Sequence, residues 1–186
     1  MAMVAGTYRM FITSLFFCIG LTVSTISMSA AKDYFQLKAI FLYNFANFVE
    51  WPSTAFKTKE SPIELCLYGK VPFSKFLNSI DGTFIGDRQL IIKQYDINDS
   101  SKSGCQMMFV GENKKSEIEA FWSNKRHLYV LSIGETDDFI NSGGIINIMR
   151  NQDTFTFDIN LESAMKNGLF ISSDLLILAR KVTGLN

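Results

Sequence analysis

Apolar and polar positions divide the chain into short segments, the first of which is continuous rather than periodic. Met10 to Val23 is an almost unbroken apolar run, preceded by one cation, Arg9, and followed by the small polar tract Ser24 to Ala31. A cation, an apolar stretch and then small residues is the order of a secretory signal peptide. A spanning helix needs about 20 apolar residues to cross roughly 30 Å of hydrocarbon, and Thr13, Ser14 and Thr22 dilute this shorter stretch. Residues 1–31 are therefore read as a signal peptide. Cleavage after Ala31 places Ala31 and Ser29 at the two positions that must be small, whereas cleavage after Ala30, the alternative, places Met28 at one of them. An uncleaved N-terminal anchor is the other reading of the segment.

Periodicity begins after this tract. At 100° per residue Leu37, Phe41, Phe45 and Phe48 share one face, with Ile40 and Trp51 at its edge, so a helix is expected over Leu37 to Trp51, stopped by Pro52. Asn44 falls within that face, where an amide left without partners would cost about 1–3 kcal/mol, and it is expected to bond loop backbone. Ile63 to Tyr68 has the length and flanking turn residues of a buried strand. A short helix from Pro72 to Ile80, a turn at Asp81-Gly82 and a strand over Arg88 to Tyr95 follow. Cys105 to Val110 reads as a strand, Lys114 to Trp122 as a helix and Leu128 to Ile133 as a strand. Such alternation predicts an α/β fold with a mixed, mainly parallel sheet flanked by helices on both faces.

The C-terminal third changes character. Ile145 to Met149 and Thr154 to Ile159 flank the polar turn Arg150 to Asp153, which predicts an antiparallel hairpin at the sheet edge. Asn160 can cap a helix over Leu161 to Asn167 that ends at Gly168. A last helix starts near Asp174. Its residues Leu175, Leu176, Ile177, Leu178 and Ala179 are apolar on nearly every side, so it is either wholly buried or partly covered by a partner.

Charge narrows the partners. Loss of residues 1–31 removes Arg9 and no acid, leaving 17 Lys plus Arg against 18 Asp plus Glu in 155 residues. Nucleic acid demands a basic patch, and the local pair Lys114 and Lys115 sits among Glu112, Glu117 and Glu119. No nucleic-acid partner is expected. His127, the only histidine, supplies no metal-ligand spacing and stands at the start of an apolar strand, so neither a metal, a cofactor nor a catalytic triad is expected. Ser142-Gly143-Gly144 precedes a strand, whereas a phosphate loop precedes a helix, and reads as a turn. Two cysteines follow the signal segment, Cys66 and Cys105, each in or beside an expected strand. In an oxidising compartment they are expected to form a disulfide, while a catalytic thiol would need a pKa-lowering neighbour and the spacing is unlike Cys-x-x-Cys.

Lys38 to Pro52, reading KAIFLYNFANFVEWP with Asn44, Phe45, Glu50, Trp51 and Pro52, closely resembles the opening motif of the YfiR family of periplasmic repressors. Ile63 to Gly69, Ile85-Gly86-Asp87-Arg88, Gly104-Cys105 to Val110, Gly143 to Ile148, Phe155 to Leu161 and Ile171-Ser172-Ser173 to Leu178 are similar to later family blocks. The resemblance implies a single YfiR-like domain over residues 32–186. It also implies a homodimeric, non-enzymatic regulator that binds the periplasmic part of an inner-membrane diguanylate cyclase of the YfiN type, lowering cyclic di-GMP and biofilm formation. Cys66 and Cys105 match a family disulfide, and a second pair found in some members has no counterpart here. Leu175, Leu176 and Leu178 are the expected partner-binding residues, and no small-molecule ligand is named. A periplasmic ligand-binding sensor acting through another membrane signalling protein, such as a histidine kinase, is the alternative.

Mass spectrometry of a periplasmic extract is expected to find a chain beginning at Lys32 or at Ala31. Full-length protein confined to the membrane fraction would overturn the signal-peptide reading.

Overall fold

The structure, a computed structural model, describes residues 26–96, 104–111, 116, 128–151 and 154–185, with the backbone alone given for 26–33. The chain falls into two units, residues 1–34 and 35–186. In the first, residues 26–34 are helical, and the helix they begin, α1 (Ile26–Asn47), ends in the second.

The phase of α1 differs from the expected one. Lys38, Ala39, Leu42, Phe45, Ala46 and then Val49 are the buried positions, spaced at three and four residues, while Asn44 is exposed and Ile40 is largely exposed. The amide of Asn44 therefore faces water rather than bracing loops. Phe41 lies at the boundary and packs edge-on against Phe45, Phe155 and Phe157, so aromatic contact with the sheet rotates the helix away from the simple Leu37–Phe41–Phe45–Phe48 stripe. The helix also stops at Asn47, short of Trp51, because Val49–Glu50 turns into an extended pair, β1, with Ile171 and Phe170 of β9 (Phe170–Ile171).

Among the described residues the main sheet has eight strands. After Pro52 and a 3-10 turn at Ser53–Ala55, the chain forms β2 (Ile63–Tyr68), helix α2 (Ser74–Leu77), β3 (Phe84–Ile85), β4 (Arg88–Tyr95) and β5 (Met107–Val110). Then come β6 (Leu131–Gly134), β7 (Ile146–Asn151), β8 (Thr154–Asn160), helix α3 (Leu161–Lys166), β9, helix α4 (Ser173–Leu178) and β10 (Lys181–Thr183). Strand order is β10-β8-β7-β6-β5-β2-β4-β3, with β4, β2, β5, β6 and β7 parallel in sequence across the sheet. The α/β class and the mainly parallel sheet are as expected. β7 and β8 form the expected antiparallel hairpin, but β8 is not an edge, because β10 adds alongside it in parallel. The expected helix Lys114 to Trp122 lies outside the described residues, apart from Ser116, as does His127.

Alternation along the strands sorts the side chains onto two faces. On one, Leu67, Phe109, Ile133, Ile146 and Ile159 fall in register, all buried, with Phe155 and Phe157 of β8 beneath Phe41 and Phe45. On the other, Cys66, Tyr68, Met108, Val110 and Phe139 cluster. The Phe139 ring stands where a Cβ on Gly134 or Gly144 would be, at 2.3 and 2.2 Å, so those two glycines are what make its slot. At the β4 side, the segment before β3 closes the sheet. Gly82 donates to Leu90 O, Leu90 N–H donates to Thr83 O, and the Asp81 carboxylate accepts from Ile92 N–H at 2.9 Å.

One ion pair sits inside this packing. Lys38, 4% exposed, holds Glu135 Oε2 at 2.7 Å with its ammonium over the rings of Phe73 (4.9 Å) and Phe155 (5.5 Å). Removing one partner of a buried pair strands the other charge, which costs more than the pair contributes. In urea denaturation Glu135→Ala is expected to destabilise the fold by about 3 kcal/mol. The double substitution Lys38→Met with Glu135→Leu is expected to recover most of that loss, and equal losses in both proteins would show that the charges do not act as a pair.

Candidate functional site

The segment after α1 builds one wall of a cleft. Asn47 Nδ2 donates to Tyr43 O, and Tyr43 OH donates to Phe84 O at 2.9 Å, tying the helix end to β3. Trp51 lies beyond the helix, half-buried, and its indole N–H is shared between the carbonyls of Gln106 (3.2 Å) and Tyr129 (3.1 Å). Gln106 is itself buried, and both ends of its amide are bonded: its Oε1 accepts from Glu64 N–H and its Nε2 donates to Ala55 O. Tyr129 stands at φ 61°, a left-handed conformation that is costly for an aromatic residue. Its N–H donates to Asn167 O at 2.7 Å, which helps hold it there. Glu50 and Asn44 of the same motif are exposed, Phe45 is buried in the core, and Pro52 precedes the 3-10 turn in an extended conformation.

The opposite wall comes from β3 and β4. Arg88 is half-buried; its Nη1 donates to Ser61 O (2.6 Å) and Thr58 O (3.3 Å), and its guanidinium carbon lies 3.6 Å from the centre of the Phe56 ring. Such stacking orients the guanidinium while leaving its remaining N–H groups available. Between the walls is a cleft of about 580 Å³. Its lining includes Trp51, Phe56, Lys59, Ile63, Asp87 and Arg88. That volume lies within the roughly 300–1,000 Å³ of small-molecule sites. Ile85 to Arg88 is legible as a motif, but a role for Arg88 is not, because Phe56 and the Thr58 and Ser61 carbonyls come from another segment.

The two cysteines are joined. Cys66 of β2 and Cys105, just before β5, form a disulfide with Cα atoms 5.9 Å apart, both buried between adjacent parallel strands. At the C-terminus the candidate partner residues separate. Ser172 caps α4 through Leu175 N–H, which directs Leu175 into the core at 2% exposure; Leu176 is half-buried, and Leu178 is exposed. Ile177, 80% exposed, projects further than any residue of the expected set. One side of α4 is thus buried and the other bare. Arg180 follows it, bound to Asp158 through two bonds of 2.9 and 2.6 Å that hold its pKa above the ordinary guanidinium value. Among the described residues no group of three or more His, Cys, Asp or Glu could hold a metal ion, and no helix is long and apolar enough to cross a membrane.

The YfiR/HmsC-like family matches residues 35–180, most of the chain and all of the elements from Phe35 to the end of α4. The chain belongs to the YfiR/HmsC-like family. This family is periplasmic and regulatory rather than catalytic. No curated protein matches the chain. Among solved structures, a conserved domain protein from Vibrio cholerae is similar with a TM-score of 0.53 and 11% identity, over 80% of this chain and 60% of that one. The chain thus spans 60% of that protein's length, and the likeness is one of fold. The ABC domain from Streptococcus pneumoniae in complex with L-tryptophan has a TM-score of 0.48 and 13% identity, over 66% of this chain and 55% of that one, too distant to carry an argument.

In the YfiR/HmsC-like chain the disulfide closes a loop across a sequence separation of 39 residues. On the chain-entropy model that closure stabilises the fold by roughly 4 kcal/mol. Thermal denaturation is expected to show Cys66→Ser, Cys105→Ser and the double substitution destabilised to the same extent, since all three remove one shared bond. Additive losses would show that the two thiols act separately.

Proposed function

We infer that this protein is a periplasmic regulator that binds the periplasmic part of an inner-membrane diguanylate cyclase and represses it, lowering cyclic di-GMP and biofilm formation. The observation that carries the reading is membership of a periplasmic regulatory family over residues 35–180. The bare side of α4 supports it. Ile177 and Leu178 are 80% and 64% exposed on a helix anchored from beneath by Leu175, an arrangement that presents apolar side chains on a rigid support. A homodimer is the proposed functional form.

The cleft beside Trp51 favours a second reading, a ligand-binding sensor acting through another membrane signalling protein such as a histidine kinase. The two readings part in the cell. Under the repressor reading, deletion of the gene raises cyclic di-GMP in a strain carrying the partner cyclase and leaves it unchanged once that cyclase is also deleted. Ile177→Ser with Leu178→Ser is expected to reproduce the deletion while the purified protein keeps its melting temperature, because neither side chain contributes to the core. Unchanged cyclic di-GMP after deletion, with every cyclase intact, would overturn repression and leave the sensor.

A further inference from the structure

The chemistry of the cleft points to an occupant. Arg88 is half-buried against two backbone carbonyls and the Phe56 ring, and none of these neutralises its charge. Lys59, exposed on the same lining, makes no ion pair among the described residues, and neither does Asp87. A guanidinium held flat by stacking and by two carbonyls, with donors still unused, is preorganised for a carboxylate. Around it lie Trp51, Phe56 and Ile63, an apolar and aromatic lining that a charged ligand alone would leave unfilled.

We propose that this cleft binds a small organic monoanion: a carboxylate engaged by Arg88 and Lys59, carried on an apolar or aromatic body that packs against Trp51 and Phe56. Asp87 sets the charge of the ligand. With one carboxylate and two cations on the lining, the cleft carries a net charge of about plus one, enough to neutralise a carboxylate but to leave a dianionic phosphomonoester uncompensated. The fixed position of Trp51 makes the aromatic wall rigid, since its N–H is already committed to Gln106 and Tyr129 and cannot swing toward a ligand. The ligand is therefore recognised by charge and shape rather than by the indole N–H.

Calorimetric titration of the purified mature protein with phenylacetate tests this, with acetate and phenyl phosphate as comparators. No cyclase is present in the titration, so its failure is distinct from failure of the repressor reading. Phenylacetate is expected to saturate, acetate to bind about tenfold or more weakly for want of an apolar body, and phenyl phosphate to bind more weakly than phenylacetate. Lys59→Gln, at an exposed position that cannot unfold the chain, is expected to weaken phenylacetate severalfold. Arg88→Gln is expected to weaken it about tenfold or more in a protein that still unfolds cooperatively, although it also loses the bonds to Ser61 and Thr58. Asp87→Asn should narrow the gap between phenyl phosphate and phenylacetate. Absence of saturable phenylacetate binding, or binding indifferent to both Lys59→Gln and Asp87→Asn, would overturn the proposal.

Discussion

A single indole N–H holds together what the rest of the molecule is built around. Trp51 lies just past the end of α1, where the chain must leave the helix and cross the amino ends of the central strands, and its N–H rests between the carbonyls of Gln106 and Tyr129. Gln106 in turn ties Glu64 and Ala55, so four separate segments meet at one polar knot. Buried polar groups are tolerated only when satisfied, and here each satisfies another. The position of the cleft wall, the pairing of β1 with β9 and the entry into β2 all follow from where Trp51 is pinned.

Much of the sheet was legible because its central strands β2, β5 and β6 are buried almost throughout and read as apolar runs, while the partly buried β4 is marked by Leu90, Ile91 and Ile92 and β8 by its alternation. Ile63 to Tyr68 and Arg88 to Tyr95 occur with the expected bounds, and the β7–β8 hairpin forms around its polar turn. The two-residue strands β1, β3 and β9 and the three-residue β10 were not legible, since so short a segment carries no period and is defined only by the neighbour it meets. The phase of α1 was misread for a related reason. Lys38 counts as polar in any pattern, yet it is buried here because Glu135, nearly a hundred residues away, and two aromatic rings receive its ammonium.

The site was half legible in the same sense. The Asn44 to Pro52 motif and the Ile85 to Arg88 block stand out as sequence, but their meeting across the cleft does not, because β3 and the helix end come together through Tyr43 and the backbone of Phe84. The cysteine pair was readable from compartment and count alone. On α4 the composition announced an apolar helix, but only the Ser172 cap and the buried Leu175 decide which leucines reach solvent.

The closure beside β4 has a further consequence. An unpaired strand margin is a template on which another chain can crystallise its own backbone, the route by which sheet proteins aggregate. Here the Asp81 carboxylate occupies the Ile92 N–H, the Gly82 and Thr83 backbone occupies Leu90, and β3 takes the start of the strand. That margin is shielded at these positions by the protein's own loop and by a negative charge that a foreign strand would have to displace. At this rim, association through added β-structure is disfavoured, and a partner must instead read side chains, which vary with sequence where backbone does not.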